Sequence, residues 1–159
     1  MKKILATLSL ATLFFASSAS AIEMRPVMTL DMAKKMIAAC EAYAIQQGWK
    51  LNIAVMDAGA NLIAFERMDN AYLKSIDIAI LKANTSAGFP FPTKALAEIA
   101  ATRVPGIAFV PGVATFEGGL PIMTAGGVHI GSIGVSGARS DQDGVCAQVG
   151  IDAIANDLK

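Results

Sequence analysis

The chain has 159 residues, with 13 Lys and Arg against 13 Asp and Glu, and 54% of its residues are hydrophobic while 16% are charged. So sparse and balanced a charge argues against a nucleic-acid-binding surface, which would need Lys and Arg clustered on one face. The length fits one domain with a sizeable core, and so apolar a composition predicts that surface is buried between the subunits of a homo-oligomer.

The first 21 residues have the order of a secretory signal peptide. Two lysines follow Met1, residues 4–16 form an uncharged apolar run, and residues 17–21 (SSASA) end in the small-x-small pattern that signal peptidase cleaves. A membrane anchor is the alternative, but the run is short for a bilayer and a cleavage pattern follows it. We therefore expect a mature single domain of residues 22–159, periplasmic or secreted, with no membrane attachment after cleavage and with 11 basic and 13 acidic residues.

The first element of the mature chain is predicted to be a helix from Thr29 to about Gln47. Thr29 is a suitable N-cap and Gly48 a suitable stop. Apolar residues recur at helical spacing, and Cys40 belongs to this inward stripe.

A β-hairpin is predicted next, because two apolar runs flank a short Asx/Gly turn in LNIAVMD-AGAN-LIAFERMD. Both faces of each run are apolar, since Ile53 and Val55 alternate with Ala54 and Met56. A strand with two apolar faces is buried on both sides within a layered structure, so we expect helices on both sides of the sheet.

The second half of the chain is predicted to contain three more helices and two or three strands. One helix extends from Ala71 to about Ala87 and is broken by GFPFPT; Thr93 then caps a short helix, TKALAEIAAT, which ends before Pro105-Gly106. IAFVPG and GGLPIMT are expected to be extended and VHIGSIGVSG to be a strand, and residues 140–143 (SDQD) are expected to cap a last helix that continues to about Asp157. Hairpin connections predict an α+β domain with a mainly antiparallel sheet.

The glycine-rich segment GGLPIMTAGGVHIGSIGVSG does not have the spacing of a nucleotide-binding loop. No glycine precedes a lysine as a P-loop requires, and its glycines lie within a strand rather than between a strand and a helix. Gly126 and Gly127 suit a hairpin turn with positive φ, and Gly131 and Gly134 suit close approach of another backbone or a ligand.

Residues with catalytic or metal-binding chemistry are few, so no catalytic residue or metal site is assigned and enzymatic activity stays undecided. His129 is the only histidine and alternates with apolar residues, which favours a structural role over ligation. Cys40 and Cys146 are 106 residues apart, so they form no CxxC motif; a disulfide and two buried thiols both stay open.

Four segments together resemble the GlcG/HbpS family of haem-binding or haem-degrading domains, which is similar to the C-terminal domain of PduO-type proteins. They are VMDAGANLIAFERMD, LKANTSAGF, PGVATFEGGLPIM and VHIGSIGVSGARSDQDGVCAQVGIDAI. The resemblance extends from about Thr29 to Ile154. It implies a profilin-like three-layer α/β/α fold, a compact homo-oligomer that is often an octamer, and haem as the cofactor.

The resemblance also implies candidate haem contacts. Thr93 is the best match to a threonine implicated in iron coordination in secreted relatives, whereas the N-terminal histidine of PduO-like relatives has no counterpart here. The expectation is a weakly held, partly exposed haem, with Thr93 or His129 near the iron and with Arg67, Lys94 or Arg103 available to its propionates.

Three functions follow as hypotheses. The first is an exported haem-binding protein in haem uptake, haem degradation or redox sensing. The second is a periplasmic accessory protein that binds a small molecule, without haem chemistry, in a subunit-interface pocket formed by Asp57, Glu66 and the GGLP backbone. The third is an enzyme acting on such a molecule, which no triad or metal cluster in the sequence supports.

Overall fold

The computed structural model of the protein describes residues 24–159, so the predicted signal peptide lies outside the described residues. The elements in chain order are α1 (Leu30–Gln47), β1 (Asn52–Asp57), β2 (Leu62–Arg67), α2 (Lys74–Gly88), α3 (Thr93–Thr102), a 3-10 helix (Pro105–Phe109), β3 (Gly119–Met123), β4 (His129–Ser136) and α4 (Ser140–Asp152). None of these helices is both long and apolar enough to cross a bilayer.

The four strands form one antiparallel sheet in the order β2-β1-β4-β3. Helices α1 and α4 pack against each other and on one face of the sheet, while α2 packs on the other face. The predicted α+β class and the profilin-like three-layer arrangement are therefore confirmed. The hairpin of β1 and β2 is confirmed as well.

The central strand β1 has two buried faces, as its sequence predicted. Ile53 and Val55 belong to the main core with α1 and α4. Ala54 and Met56 belong to a smaller cluster with Ala79 and Ala83 of α2.

The glycines of β4 let α2 and β1 approach the strand closely. A Cβ on Gly131 would overlap the carbonyl oxygen of Met56, and one on Gly134 would overlap that of Ala79. Gly127, in the turn before β4, has a φ of +78°. The expected reasons for glycine at these three positions are confirmed, whereas the positive φ expected at Gly126 was wrong.

The first helix begins and ends where its sequence predicted. The Thr29 hydroxyl accepts a hydrogen bond from the Met32 N–H, and Gly48 ends α1 with a φ of +73°. Cys40 of α1 is joined by a disulfide to Cys146 of α4, with their Cα atoms 5.0 Å apart. Of the two alternatives left open for the cysteines, the structure has the disulfide.

Three local expectations were wrong. Residues 107–112 are not extended, because Pro105 starts a 3-10 helix and a turn at Gly112 follows. Helix α4 ends at Asp152 and turns continue to Leu158, which is buried. Thr93 is the first residue of α3 rather than its N-cap, since its side chain bonds to β3 instead of to α3.

Candidate functional site

Gly118 and Gly119 of the GGLP sequence lie directly against α2. Gly118 has a φ of +126°, and a Cβ there would meet the Lys82 ammonium, the Val135 carbonyl oxygen and Asp143. A Cβ on Gly119 would meet the backbone of Lys82 and the methyl group of Thr93. These glycines are therefore required by close packing around a buried lysine.

That lysine forms a buried ion pair. The Lys82 Nζ lies 2.7 Å from Asp143 Oδ2, and the two side chains are 1% and 2% exposed. The ammonium also donates to the Val135 carbonyl oxygen at 2.9 Å and lies 5.2 Å from the centre of the Phe116 ring. The pair thus joins α2, β4 and α4 beneath the segment that contains Phe116.

Burial acts on both members of the pair. Loss of solvent lowers the pKa of Lys82, and the Asp143 charge and hydrogen bond oppose that change. Burial likewise raises the pKa of Asp143 against the opposing effect of Lys82. Each residue therefore stabilises the charged form of the other.

Sequence reasoning missed this pair because its members are 61 residues apart. One signal was available: Lys82 lies between Ala79 and Ser86 on the inward stripe of α2, where a charge needs a buried partner.

Thr93 lies inside the protein. It is fully buried, and its hydroxyl accepts from the Gly119 N–H at 2.9 Å and donates to the Gly119 carbonyl oxygen at 3.4 Å. Contact between this hydroxyl and a bound iron would require these bonds to open. Its assignment as a haem ligand stays a prediction.

A shallow groove lies on the outer side of α3. It has a volume of about 340 Å³, and we call it the α3 groove; it is lined by Phe91, Ala95, Glu98, Ile99, Thr102 and Arg103. Lys94 lies beside Ala95 in α3 and pairs with Glu117 at 3.2 Å. Of the predicted propionate partners, Arg103 lines this groove, whereas Lys94 is not among its lining residues and is already paired with Glu117.

Large apolar side chains are exposed in the same part of the chain. We call them the apolar patch: Phe89, Phe91, Val104, Phe109, Val110 and Phe116. Phe109 is 85% exposed. Their closeness along the chain makes residues 89–116 the candidate contact surface for a ligand or another protein.

Arg67 and His129 lie elsewhere. Arg67 ends the edge strand β2 and is in register with Asn52, which is in register with Ser136. His129 is seven residues before Ser136 on β4, or about 23 Å along the strand at about 3.3 Å per residue. One subunit therefore does not bring these two predicted contacts together.

The environment of His129 differs from the expected alternation. It pairs with Met123 beyond a register irregularity that follows Ile122. Its ring is partly buried, and among the described residues its Nε2 atom has no hydrogen-bond partner. A contact with a group outside this chain would supply one.

The residues of the predicted small-molecule pocket are separated within one subunit. The Asp57 carboxylate accepts hydrogen bonds from Asn61 and Gly59 within the turn between β1 and β2. The hydrogen bonds from Asn61 are the main reason that the pKa of Asp57 is lowered. Glu66 lies against Glu41 of α1, and burial, followed by the Glu41 charge, raises its pKa. A pocket completed by a second subunit stays a prediction.

The fold and site define a small three-layer α+β domain with an exposed apolar patch and a cation-bearing groove. The chain belongs to the family of HbpS-like haem-degrading proteins, whose family model matches residues 28–152. It is 33% identical to the protein GlcG of Escherichia coli K12 over 110 residues, covering 69% of this chain and 81% of GlcG.

Solved structures agree with this membership. A double mutant of HbpS from Streptomyces reticuli matches with a TM-score of 0.79 and 30% identity, covering 91% of this chain and 98% of that one. A PduOC:heme complex matches with a TM-score of 0.75 and 26% identity, covering 81% of this chain and 96% of that one. The predicted resemblance is confirmed, and these relatives point to a haem-related function.

Proposed function

We propose that the protein is an exported haem-binding protein and that haem lies against the α3 groove. The observation that carries this proposal is that the exposed Phe91 and the cation Arg103 line the same groove. Aromatic and aliphatic side chains suit the porphyrin ring, and a guanidinium suits its carboxylates. The family and the PduOC:heme neighbour support haem as the ligand.

Of the side chains that line the groove, Phe91 and Ile99 suit the porphyrin ring and Arg103 suits a propionate, whereas Glu98 adds a carboxylate that opposes a second propionate. The Thr102 hydroxyl is bonded to the Glu98 carbonyl oxygen, and Thr93 is bonded to Gly119. His129 is on another element. Bound haem would supply iron redox chemistry, and the groove residues would hold its ring and one propionate. Weak binding with a partly exposed iron is therefore expected.

Two features support export. Residues 1–21 have the order of a signal peptide. The buried disulfide between Cys40 and Cys146 suits an oxidising compartment such as the periplasm or the extracellular medium. N-terminal sequencing of protein recovered from the periplasm or medium tests this, with Ile22 as the expected first residue.

The exposure of the apolar patch supports a homo-oligomer, with an octamer as the specific form proposed. Phe109 is 85% exposed and Val110 48% exposed, and neither lines the α3 groove. Burial between copies would remove them from water. Sedimentation of Phe109→Glu should show smaller species than wild type. Ile45→Glu, at an exposed apolar position of α1, should leave the assembly intact.

A hemin titration of the mature protein tests the haem proposal. We expect a saturable shift of the Soret band, with Arg103→Gln and Phe91→Ala each weakening binding about fivefold, as for loss of a partly exposed contact. Arg67→Gln removes an exposed cation that does not line the groove and lies on β2, at the sheet edge opposite β3, so it serves as the control. A spectrum identical to that of free hemin, or equal weakening by Arg67→Gln, would contradict the proposed site.

The role after binding is tested separately. Loss of the Soret band with release of iron in the presence of a reductant and oxygen would indicate haem degradation. Retention of intact haem and its transfer to apomyoglobin would indicate haem uptake. A redox-sensing role predicts intact haem and a changed assembly on oxidation.

A further inference from the structure

Three loops line an open surface cavity of about 530 Å³ at the end of the sheet where β1 begins and β4 ends. It is lined by residues 48–50, by Asn70 and Tyr72, and by residues 137–139 with Gln142. We call it the loop cavity. It shares no lining residue with the α3 groove.

The walls of the loop cavity are fixed by backbone contacts. Gly137 has a φ of +144°, and a Cβ there would overlap the Lys50 carbonyl oxygen, so glycine lets two of the loops touch. Asn70 holds a left-handed conformation with a φ of +65°. The fully buried Asn52 donates from Nδ2 to the Tyr72 carbonyl oxygen at 3.2 Å. A cavity with walls held in this way is largely preformed, which lowers the ordering cost of binding.

The charge at the cavity is positive. Its charged lining residues are Lys50 and Arg139, and in the described chain no acidic side chain lines it. Asp141 binds Arg139, with Nη2 2.6 Å from Oδ2, so the guanidinium is already paired. Within residues 24–159 the Lys50 ammonium has no ion pair, and it remains available to an anion.

Two aromatic side chains give the cavity an apolar part. Trp49 is partly buried and packs edge-on against Tyr43 with ring centres 5.7 Å apart. Tyr72 lines the cavity from the loop before α2. The volume lies within the range of small-molecule sites, which combine apolar walls with a few polar groups.

We propose that the loop cavity binds a small organic carboxylate with a planar apolar body, with Lys50 facing the carboxylate and Trp49 contacting the body. This inference goes beyond haem binding and does not depend on it, because the two sites have separate linings.

Trp49 provides the test, since it is the only tryptophan of the chain. Phenylacetate is titrated into the hemin-free mature protein while Trp49 fluorescence is followed, and its neutral analogue 2-phenylethanol is titrated in parallel. We expect saturable binding of phenylacetate, about fivefold tighter than that of the alcohol because of the charge at Lys50.

A matched pair of variants decides whether the response comes from this site. Lys50→Gln should weaken phenylacetate binding about fivefold while keeping the melting temperature, because Lys50 is exposed and only its backbone packs against Gly137. Lys34→Gln removes an exposed cation of α1 outside the cavity and should bind as wild type.

Three outcomes would overturn the inference: no saturable Trp49 response, equal affinity for acid and alcohol, or unchanged binding by Lys50→Gln. Repeating the titration with hemin bound separates the two proposals. Unchanged phenylacetate affinity is expected, and competition would show that the sites are not separate.

Discussion

At the scale of single residues, the Lys82–Asp143 ion pair has the largest expected effect on stability. A buried pair gains little over an apolar pair of similar size, but loss of one member leaves an uncompensated charge in the core. Asp143 also accepts a hydrogen bond from the Ala138 N–H ahead of α4. The carboxylate therefore both pairs with Lys82 and holds the chain before α4.

Lys82→Met should therefore lower the free energy of unfolding by about 3–5 kcal/mol near neutral pH. The loss should be smaller at about pH 4, since burial raises the pKa of Asp143 and protonation removes the stranded charge. Urea unfolding at the two pH values measures this. Adding Asp143→Asn should recover part of the loss, because an amide oxygen can still accept from Ala138; no recovery would contradict a charge effect.

Glu66 should make stability depend on pH in the opposite sense to an ordinary carboxylate. Burial raises its pKa above the usual 4.5, so its contribution to stability is present at lower pH and is lost as pH rises through the folded-state pKa. Glu66→Gln should be slightly more stable than wild type near neutral pH, by less than about 1 kcal/mol because the group is partly exposed. The difference should vanish at about pH 4.

Thermal melts of Glu66→Gln across this pH range are the measurement. Glu41→Gln should give the same trend because it removes the facing charge. Glu98→Gln, an exposed change on α3, is the control, and the same pH-dependent gain there would exclude the Glu41–Glu66 contact as the cause.

At the scale of elements, sequence patterns predicted the parts of the fold that depend on local signals. The N-cap at Thr29, the αL stop at Gly48 and the hairpin turn after Asp57 are each determined within a few residues. Thr93 could not be placed in the same way. Its bonds to Gly119 join residues 26 positions apart, and helix-capping preference alone does not reveal them.

Gly134→Ala tests the packing of β4 against α2. The added methyl group would overlap the backbone of Ala79 and Ala83, and a helix backbone cannot move aside as a side chain can. We expect a loss of about 1–3 kcal/mol or more in the free energy of unfolding. Gly126→Ala is the matched control, since the nearest atom to its Cβ is the Thr124 hydroxyl oxygen at 3.8 Å. Equal losses in the two variants would show that propensity, rather than this contact, is responsible.

At the scale of the whole molecule, the sheet separates a main core from a thinner layer. The first face is covered by two helices that the disulfide joins, whereas α2 covers the second with small residues and a buried ion pair. The presence of helices on both sides of the sheet could be predicted from the two apolar faces of β1. The presence of Arg103 at the α3 groove without Arg67 or His129 could not be predicted, because it depends on which strands lie at the sheet edges.

The disulfide should therefore stabilise the molecule as a whole. It links residues 106 positions apart, and closing so long a loop restricts the unfolded chain strongly, by about 4–5 kcal/mol in the chain-entropy treatment. Native disulfides of small domains contribute about 2–5 kcal/mol in practice. We expect a loss of that size in a Cys40→Ala, Cys146→Ala double variant, measured by urea unfolding without reductant.

The matched control is the wild-type protein unfolded with reductant, which should resemble the double variant. Because both sulfurs are buried, reduction should be slow in the folded protein and should accelerate in urea. If the double variant is as stable as oxidised wild type, α1 and α4 are held by packing alone. The disulfide would then be a consequence of their contact rather than a support for it.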